Sequence, residues 1–141
     1  MLFRSAVILN ESNPTPMDLR FRLFGTHVRV HPLFWVFSAV LGWGVTRDHR
    51  LSDSGLVELA IWIGCAFFSI LLHEFGHIWM GRVFGSDGYI VLQGMGGLAV
   101  GSNALYRGSQ RILVSAAGPV IQLVFAVILW LLSWGDRKSV V

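Results

Sequence analysis

The sequence predicts an all-α membrane protein with about three transmembrane helices and a short re-entrant β-hairpin between the second and third. Three observations support this fold class. Hydrophobic residues make up 54% of the 141 residues and charged residues only 13%, against roughly 25% charged in a typical soluble domain. The apolar residues occur in three long runs. A glycine-rich, β-prone segment separates the last two runs.

Residues 1–16 are expected to be a disordered tail or a mis-assigned start, because Asn13, Pro14 and Pro16 interrupt any helix there. Residues 17–141 would then form a single membrane-embedded domain that begins at Met17.

The three apolar runs are candidate membrane spans. Residues 31–45 contain no Asp, Glu, Lys or Arg. The run must nevertheless begin near Val28 to approach the roughly 20 residues that cross a bilayer. The second run extends from Leu56 to Phe84, and Glu74 is its only charged residue away from the two ends. The third run extends from Ile112 to Trp134 without a charge.

The segment after the second run has the pattern of a hairpin. Tyr89–Leu92 is β-prone, the glycines near Gly94 predict a turn, and Leu98–Val100 predicts a returning strand. Its apolar character indicates that the hairpin dips into the membrane boundary, where non-helical backbone must pack on protein or face a wet cavity. An ordinary loop outside the membrane is the alternative.

Lysine and arginine lie between the apolar runs, so membrane orientation explains the net charge of +3 better than nucleic-acid binding does. With the N-terminus in the cytoplasm, seven of these residues are cytoplasmic and four are outside. The cytoplasmic set is Arg4, Arg20, Arg22, Arg29, Arg82, Arg107 and Arg111. We therefore expect an integral membrane protein with a cytoplasmic N-terminus.

Three polar residues interrupt the second apolar run, in the stretch "HEFGH". His73 and His77 are four residues apart, so a helix places both imidazoles on one face, where they can bind one Zn²⁺. Glu74 lies about 100° around the helix axis from His73, beside the metal, where it can act as the base on a metal-activated water. A charge at bilayer depth costs at least about 2.5 kcal/mol, which favours a functional trio. A satisfied core histidine pair or an interhelical polar contact is the alternative.

The order of these motifs resembles the site-2 protease family of intramembrane zinc metalloproteases. The resemblance covers roughly residues 17–134 and depends on "FRLFGTHVRVHPLFWV", on "HEFGH" in a membrane helix, on the hairpin "VLQGMGGLAVG" and on "AAGPVIQL". It implies one catalytic zinc ion, with His73 and His77 as ligands and Glu74 as the catalytic base. It also implies a membrane substrate and a bacterial or archaeal cell membrane.

The resemblance further implies a substrate-binding role for the hairpin, by strand addition at Gly94, Gly96 and Gly97. Gly118 and Pro119, in the stretch "AAGPVIQL", match the family's Gly-Pro pair. Gln122 stands where the family usually has Asn, and it is assigned either to substrate binding or to an interhelical hydrogen bond.

One expected ligand has no counterpart in the sequence. The family supplies a third zinc ligand, an Asp in a later membrane helix, within a Leu-Asp-Gly or Asn-Pro-Asp-Gly context. Asp87 precedes the hairpin, so it stands in the wrong order along the chain. Asp136 follows the third run, so it lies at the opposite membrane face. We therefore expect a C-terminally truncated product or a pseudoenzyme.

Two functions follow from these residues. The first is an intramembrane zinc metalloendopeptidase that hydrolyses peptide bonds in or near transmembrane segments of membrane proteins. The alternative is a non-catalytic site-2-protease-like membrane protein that binds transmembrane segments or metal. A metal-ion transporter is disfavoured, because the first and third runs contain no acidic residue.

Overall fold

The computed structural model describes residues 12–45, 53–94, 96–105 and 107–137, and within them it contains three helices and one four-stranded sheet. The elements in chain order are β1 (Leu19–Leu23), β2 (Thr26–Val30), α1 (Pro32–Val45), α2 (Asp53–Val83), β3 (Tyr89–Gln93), β4 (Gly96–Val100) and α3 (Gly108–Arg137). The expectation for residues 1–16 falls largely on residues 1–11, which lie outside the described part.

The two long helices agree with two of the predicted spans. The stretches Ser54–Val83 and Gly108–Trp134 are long and apolar enough to cross a membrane, and only 11% of the most apolar window of each is buried. By contrast, α1 has 14 residues, which is about 21 Å of helix at 1.5 Å per residue. Over the described residues, the helix of the first predicted span is therefore shorter than a bilayer core.

The sheet has the strand order β1-β2-β3-β4, with a parallel pair, β2 and β3, between two antiparallel pairs. The hairpin of β3 and β4 lies where the glycine-rich segment predicted it, with Gln93 opposite Gly96 and Gly94 at a positive φ of 54°. The all-α class is too narrow, because β1 and β2 form a second strand pair. Their signal is the alternation of basic and apolar residues in "LRFRL" and "THVRV", which has the two-residue period of a strand.

One face of the sheet packs against the second half of α2. The buried core joins side chains from β2, β3, α1 and α2: Val28, Val30, Phe34, Leu71, Phe75, Ile78, Ile90 and Leu92. Burial of these branched and aromatic side chains holds the hairpin alongside α2.

A local hydrogen-bond arrangement fixes where α1 begins. The backbone N–H of His31 donates to the carbonyl of Leu92 at 2.8 Å, which extends the contact between β2 and β3 by one residue. The His31 Nδ1 accepts from the N–H of Leu33 at 3.2 Å, so it caps a helix whose first residue is Pro32. The sheet and α1 are thereby joined without a loop.

Helices α2 and α3 approach closely at small residues. A Cβ atom at Gly76 would lie 2.6 Å from the carbonyl oxygen of Ala117, closer than real contacts allow. Glycine at this position therefore lets the two backbones touch, as small residues do between membrane helices.

Candidate functional site

The structure brings together the three polar residues of α2. The rings of His73 and His77 have centroids 4.9 Å apart and meet edge to face at 81°. Glu74 is buried, at 6% exposure. All three side chains line a cavity of about 330 Å³ that the hairpin and α3 complete.

Hydrogen bonds from α3 orient both imidazoles. The Nδ1 of His77 lies 2.7 Å from the carbonyl oxygen of Val114, and the Nδ1 of His73 lies 3.0 Å from the Oε1 of Gln122. A carbonyl oxygen only accepts, so in a neutral ring each Nδ1 carries the proton and each Nε2 presents a lone pair.

The amide of Gln122 is itself held in place. Its Nε2 donates to the Oγ of Ser69 at 2.6 Å, which turns its oxygen toward His73. Sequence reasoning missed Ser69, although a signal was present: Ser69 precedes His73 by four residues and so lies on the same helix face. The Val114 carbonyl had no signal in the sequence, because a backbone acceptor can come from any residue.

Both Nε2 atoms face the backbone of Gly118. A Cβ atom at this position would lie 2.9 Å from the Nε2 of His73 and closer still to that of His77. The two lone pairs therefore converge on a space that any side chain at position 118 would fill. Imidazoles that share a cavity and are anchored through their other nitrogen fit two ligands of one zinc ion.

The hairpin passes directly over the carboxylate of Glu74. A Cβ atom at Gly97 would lie 2.7 Å from its Oε1, and Leu98 and Ala99 line the same cavity as the carboxylate. Strand β4 therefore lies against Glu74.

A second cavity, of about 320 Å³, is lined by His73, Glu74, Gly96, Gly97 and Gln122, with Ile70. The two cavities share a wall made by His73, Glu74 and Gly97, and together they form a cleft beside β4.

The four residues predicted to bind substrate have different environments. Gly96, Gly97 and Gln122 line the second cavity. Gly94 lies in the turn, where a Cβ atom would be 4.0 Å from the ring of Phe37 on α1. Gln122 forms the interhelical hydrogen bonds that were the alternative to a substrate-binding role.

In the described part of the chain, no group of three or more His, Cys, Asp or Glu side chains comes close enough together to hold a metal ion. Asp87 is fully exposed and lies 3.9 Å from Arg82, and it is absent from the set of residues that line the cleft. The described residues thus offer two imidazole ligands with a carboxylate beside them, whereas a catalytic zinc commonly has three protein ligands.

Neither a family model nor a curated protein sequence matches this chain. Its structure is similar to that of the site-2 protease from Methanocaldococcus jannaschii, with a TM-score of 0.59 and 22% sequence identity. The similarity covers 83% of this chain and 51% of that protein, so the chain spans about half the length of its structural neighbour. At this identity the likeness shows that the two chains share a fold.

Proposed function

We propose that this chain is a membrane-embedded zinc metalloendopeptidase of the site-2 type, which hydrolyses peptide bonds in or near transmembrane segments of membrane proteins. The observation that carries the proposal is the pair of imidazoles, each anchored through Nδ1, whose Nε2 atoms converge beside Gly118 next to a buried carboxylate. The protease-like fold supports the same conclusion.

In this proposal α2 and α3 cross the membrane of a bacterial or archaeal cell, the N-terminus is cytoplasmic, and the β3–β4 hairpin is re-entrant. Three outward-facing side chains of α3, Leu123, Leu129 and Leu132, are half or more exposed, as expected next to lipid. The hairpin reaches Ile70, which shares a cavity with Gly96. Ile70 precedes the end of α2 at Val83 by 13 residues, or about 20 Å of helix, so the hairpin extends well along the span.

The residues that would hold the metal are His73 and His77, through Nε2. Bound Zn²⁺ supplies Lewis acidity to the scissile carbonyl and to water. The Val114 carbonyl and Gln122 keep both rings in the tautomer that leaves Nε2 able to bind a cation. Glu74 is the general base: it accepts a proton from water and returns it to the leaving amine.

The cleft suits an extended peptide. Strand β4 is the last strand in the described sheet order, so a substrate segment can add to it through backbone hydrogen bonds. Gly96 and Gly97 place no side chain between that strand and the carboxylate. A transmembrane substrate must locally unwind first, because intrahelical hydrogen bonds otherwise occupy the scissile carbonyl.

A second function has one observation in its favour. The described residues supply two imidazole ligands and no third ligand beside them. A non-catalytic relative that binds transmembrane segments or metal would need no third ligand, and this is the alternative to the protease.

The test compares the whole chain with its Glu74→Gln variant, reconstituted in liposomes with zinc and a fluorescently labelled transmembrane peptide. We expect Glu74→Gln to abolish cleavage and to retain zinc. The matched control is Glu58→Gln, which changes an exposed carboxylate on the same helix and should cleave like the wild type. Equal cleavage by Glu74→Gln would refute the assigned base. A wild type that binds zinc and the peptide but never cleaves would favour the non-catalytic alternative.

A further inference from the structure

In strands β1 and β2, the face of the sheet that points away from α2 is basic. Arg20 on β1 lies directly opposite Arg29 on β2, and Arg22 lies directly opposite His27. Their neighbours in the strands point to the opposite face, where Val28 and Val30 are buried, because successive strand residues alternate between faces. Four basic side chains therefore share one surface of a two-stranded ribbon.

This basic face lines a cavity of about 540 Å³. The four basic residues contribute to its wall, and Pro14 and Tyr89 add apolar and aromatic surface. The Arg20 side chain is 60% exposed, and Arg22 and His27 are also exposed. The cavity is large enough for a phosphate group and part of the molecule that carries it.

Among the described residues, the Asp18 carboxylate lies against this cluster. Asp18 lies 3.3 Å from Arg29 and 3.7 Å from Arg20. Its oxygens also accept hydrogen bonds from the N–H and the hydroxyl of Thr15. Like charges directly opposite each other destabilise a strand pair, so this arrangement becomes more stable when an additional anion binds.

The surroundings of the basic face are apolar. Met17 and Phe24 are 80% and 70% exposed, and Leu19 is 50% exposed. The ring of Phe24 packs edge-on against Trp79 near the end of α2, at 6.1 Å, and the Arg82 guanidinium donates to the Phe24 carbonyl at 3.0 Å. The basic face thus lies at the end of a helix that we assign to the membrane, with exposed apolar side chains beside it.

We propose that this face binds the phosphate of an anionic phospholipid headgroup, with Arg20 and Arg22 as the principal ligands. A guanidinium group forms paired hydrogen bonds to phosphate oxygens. Basic residues at the end of a span attract anionic lipids. Met17 and Phe24, which flank β1 at its two ends, favour a lipid over free phosphate, because acyl chains can cover them.

The experiment measures the thermal stability of the detergent-purified chain during titration with dioctanoyl phosphatidylglycerol, dioctanoyl phosphatidylcholine or inorganic phosphate. The test variant is the double substitution Arg20→Gln with Arg22→Gln. The control is Arg107→Gln, which removes an exposed arginine outside the sheet. Circular dichroism confirms that each variant is folded.

We expect phosphatidylglycerol to stabilise the wild type and Arg107→Gln, with little effect of the other two compounds. The double variant should need a concentration about tenfold or more higher for the same stabilisation, since each arginine near a membrane surface contributes about fivefold. Equal stabilisation by inorganic phosphate would assign the site to a free phosphate and overturn the lipid assignment. An unchanged titration in the folded double variant, or an equal loss in Arg107→Gln, would overturn the site itself.

Discussion

The contact between Gly118 and the two imidazoles gives the sharpest test of the proposed metal site. In a Gly118→Ala variant the new methyl group would lie 2.9 Å from the His73 Nε2 and closer to the His77 Nε2. Ordinary contacts begin at 3.4 Å. The His73 ring must therefore move by about 0.5 Å, which exceeds the ~0.2 Å tolerance of a zinc–ligand distance.

The expected loss of zinc affinity is about tenfold to a hundredfold, the range seen when the surroundings of a metal-binding histidine are altered. The methyl group removes no ligand atom and adds no charge. The loss would therefore come from the displaced ring, and from the filled space between the two nitrogens.

The assay is a competition titration of the detergent-purified chain against a chromophoric zinc chelator. Two controls accompany it. Gly64→Ala adds the same methyl group to α2, where nothing lies within 4 Å, and it should leave the affinity unchanged. Gly76→Ala forces its methyl group against the Ala117 carbonyl and disturbs the packing of α2 on α3 without meeting an imidazole.

A folded Gly118→Ala variant with wild-type zinc affinity would refute the inferred geometry. A loss in Gly118→Ala no larger than that in Gly76→Ala would mean that helix packing, rather than the convergence of the two nitrogens, sets the affinity.

Three further predictions concern Gln122, Gly97 and Asp18. Gln122→Leu should lower zinc affinity about tenfold to a hundredfold because the His73 Nδ1 loses its acceptor, whereas Gln122→Glu should restore most of the affinity in the same titration. Gly97→Ala should reduce peptide cleavage but not zinc content, because its methyl group would meet the Glu74 carboxylate. The control Gly96→Ala should cleave like the wild type, because its methyl group would meet nothing within 4 Å. The hydrogen bond from the Thr15 hydroxyl lowers the pKa of Asp18 below its usual 3.8. The ionised Asp18 therefore stabilises the fold above pH 3.8, and this stabilisation is lost as the pH falls through the folded-state pKa. Melting temperatures measured across acidic pH should therefore fall less steeply for Asp18→Asn than for the wild type.

The spacing of residues along one element determined most of what could be predicted. The four-residue interval from His73 to His77 places both imidazoles on one helix face, because any α-helix has 3.6 residues per turn. The apolar runs likewise determined α2 and α3, and the β-prone runs around Gly94 determined the β3–β4 hairpin. These features depend on short-range geometry, which the local sequence carries.

Only the tertiary structure decided what surrounds the trio. The Val114 carbonyl and Gln122 reach the histidines from α3, and Gly97 covers Glu74 from β4. The pairing of β2 with β3 joins segments separated by the whole of α1 and α2. Such contacts depend on how elements pack, and a residue's own neighbours in the chain carry no record of them. The sequence therefore predicted which side chains would bind a metal, and packing decided the tautomers of the two imidazoles and which backbone segments approach them.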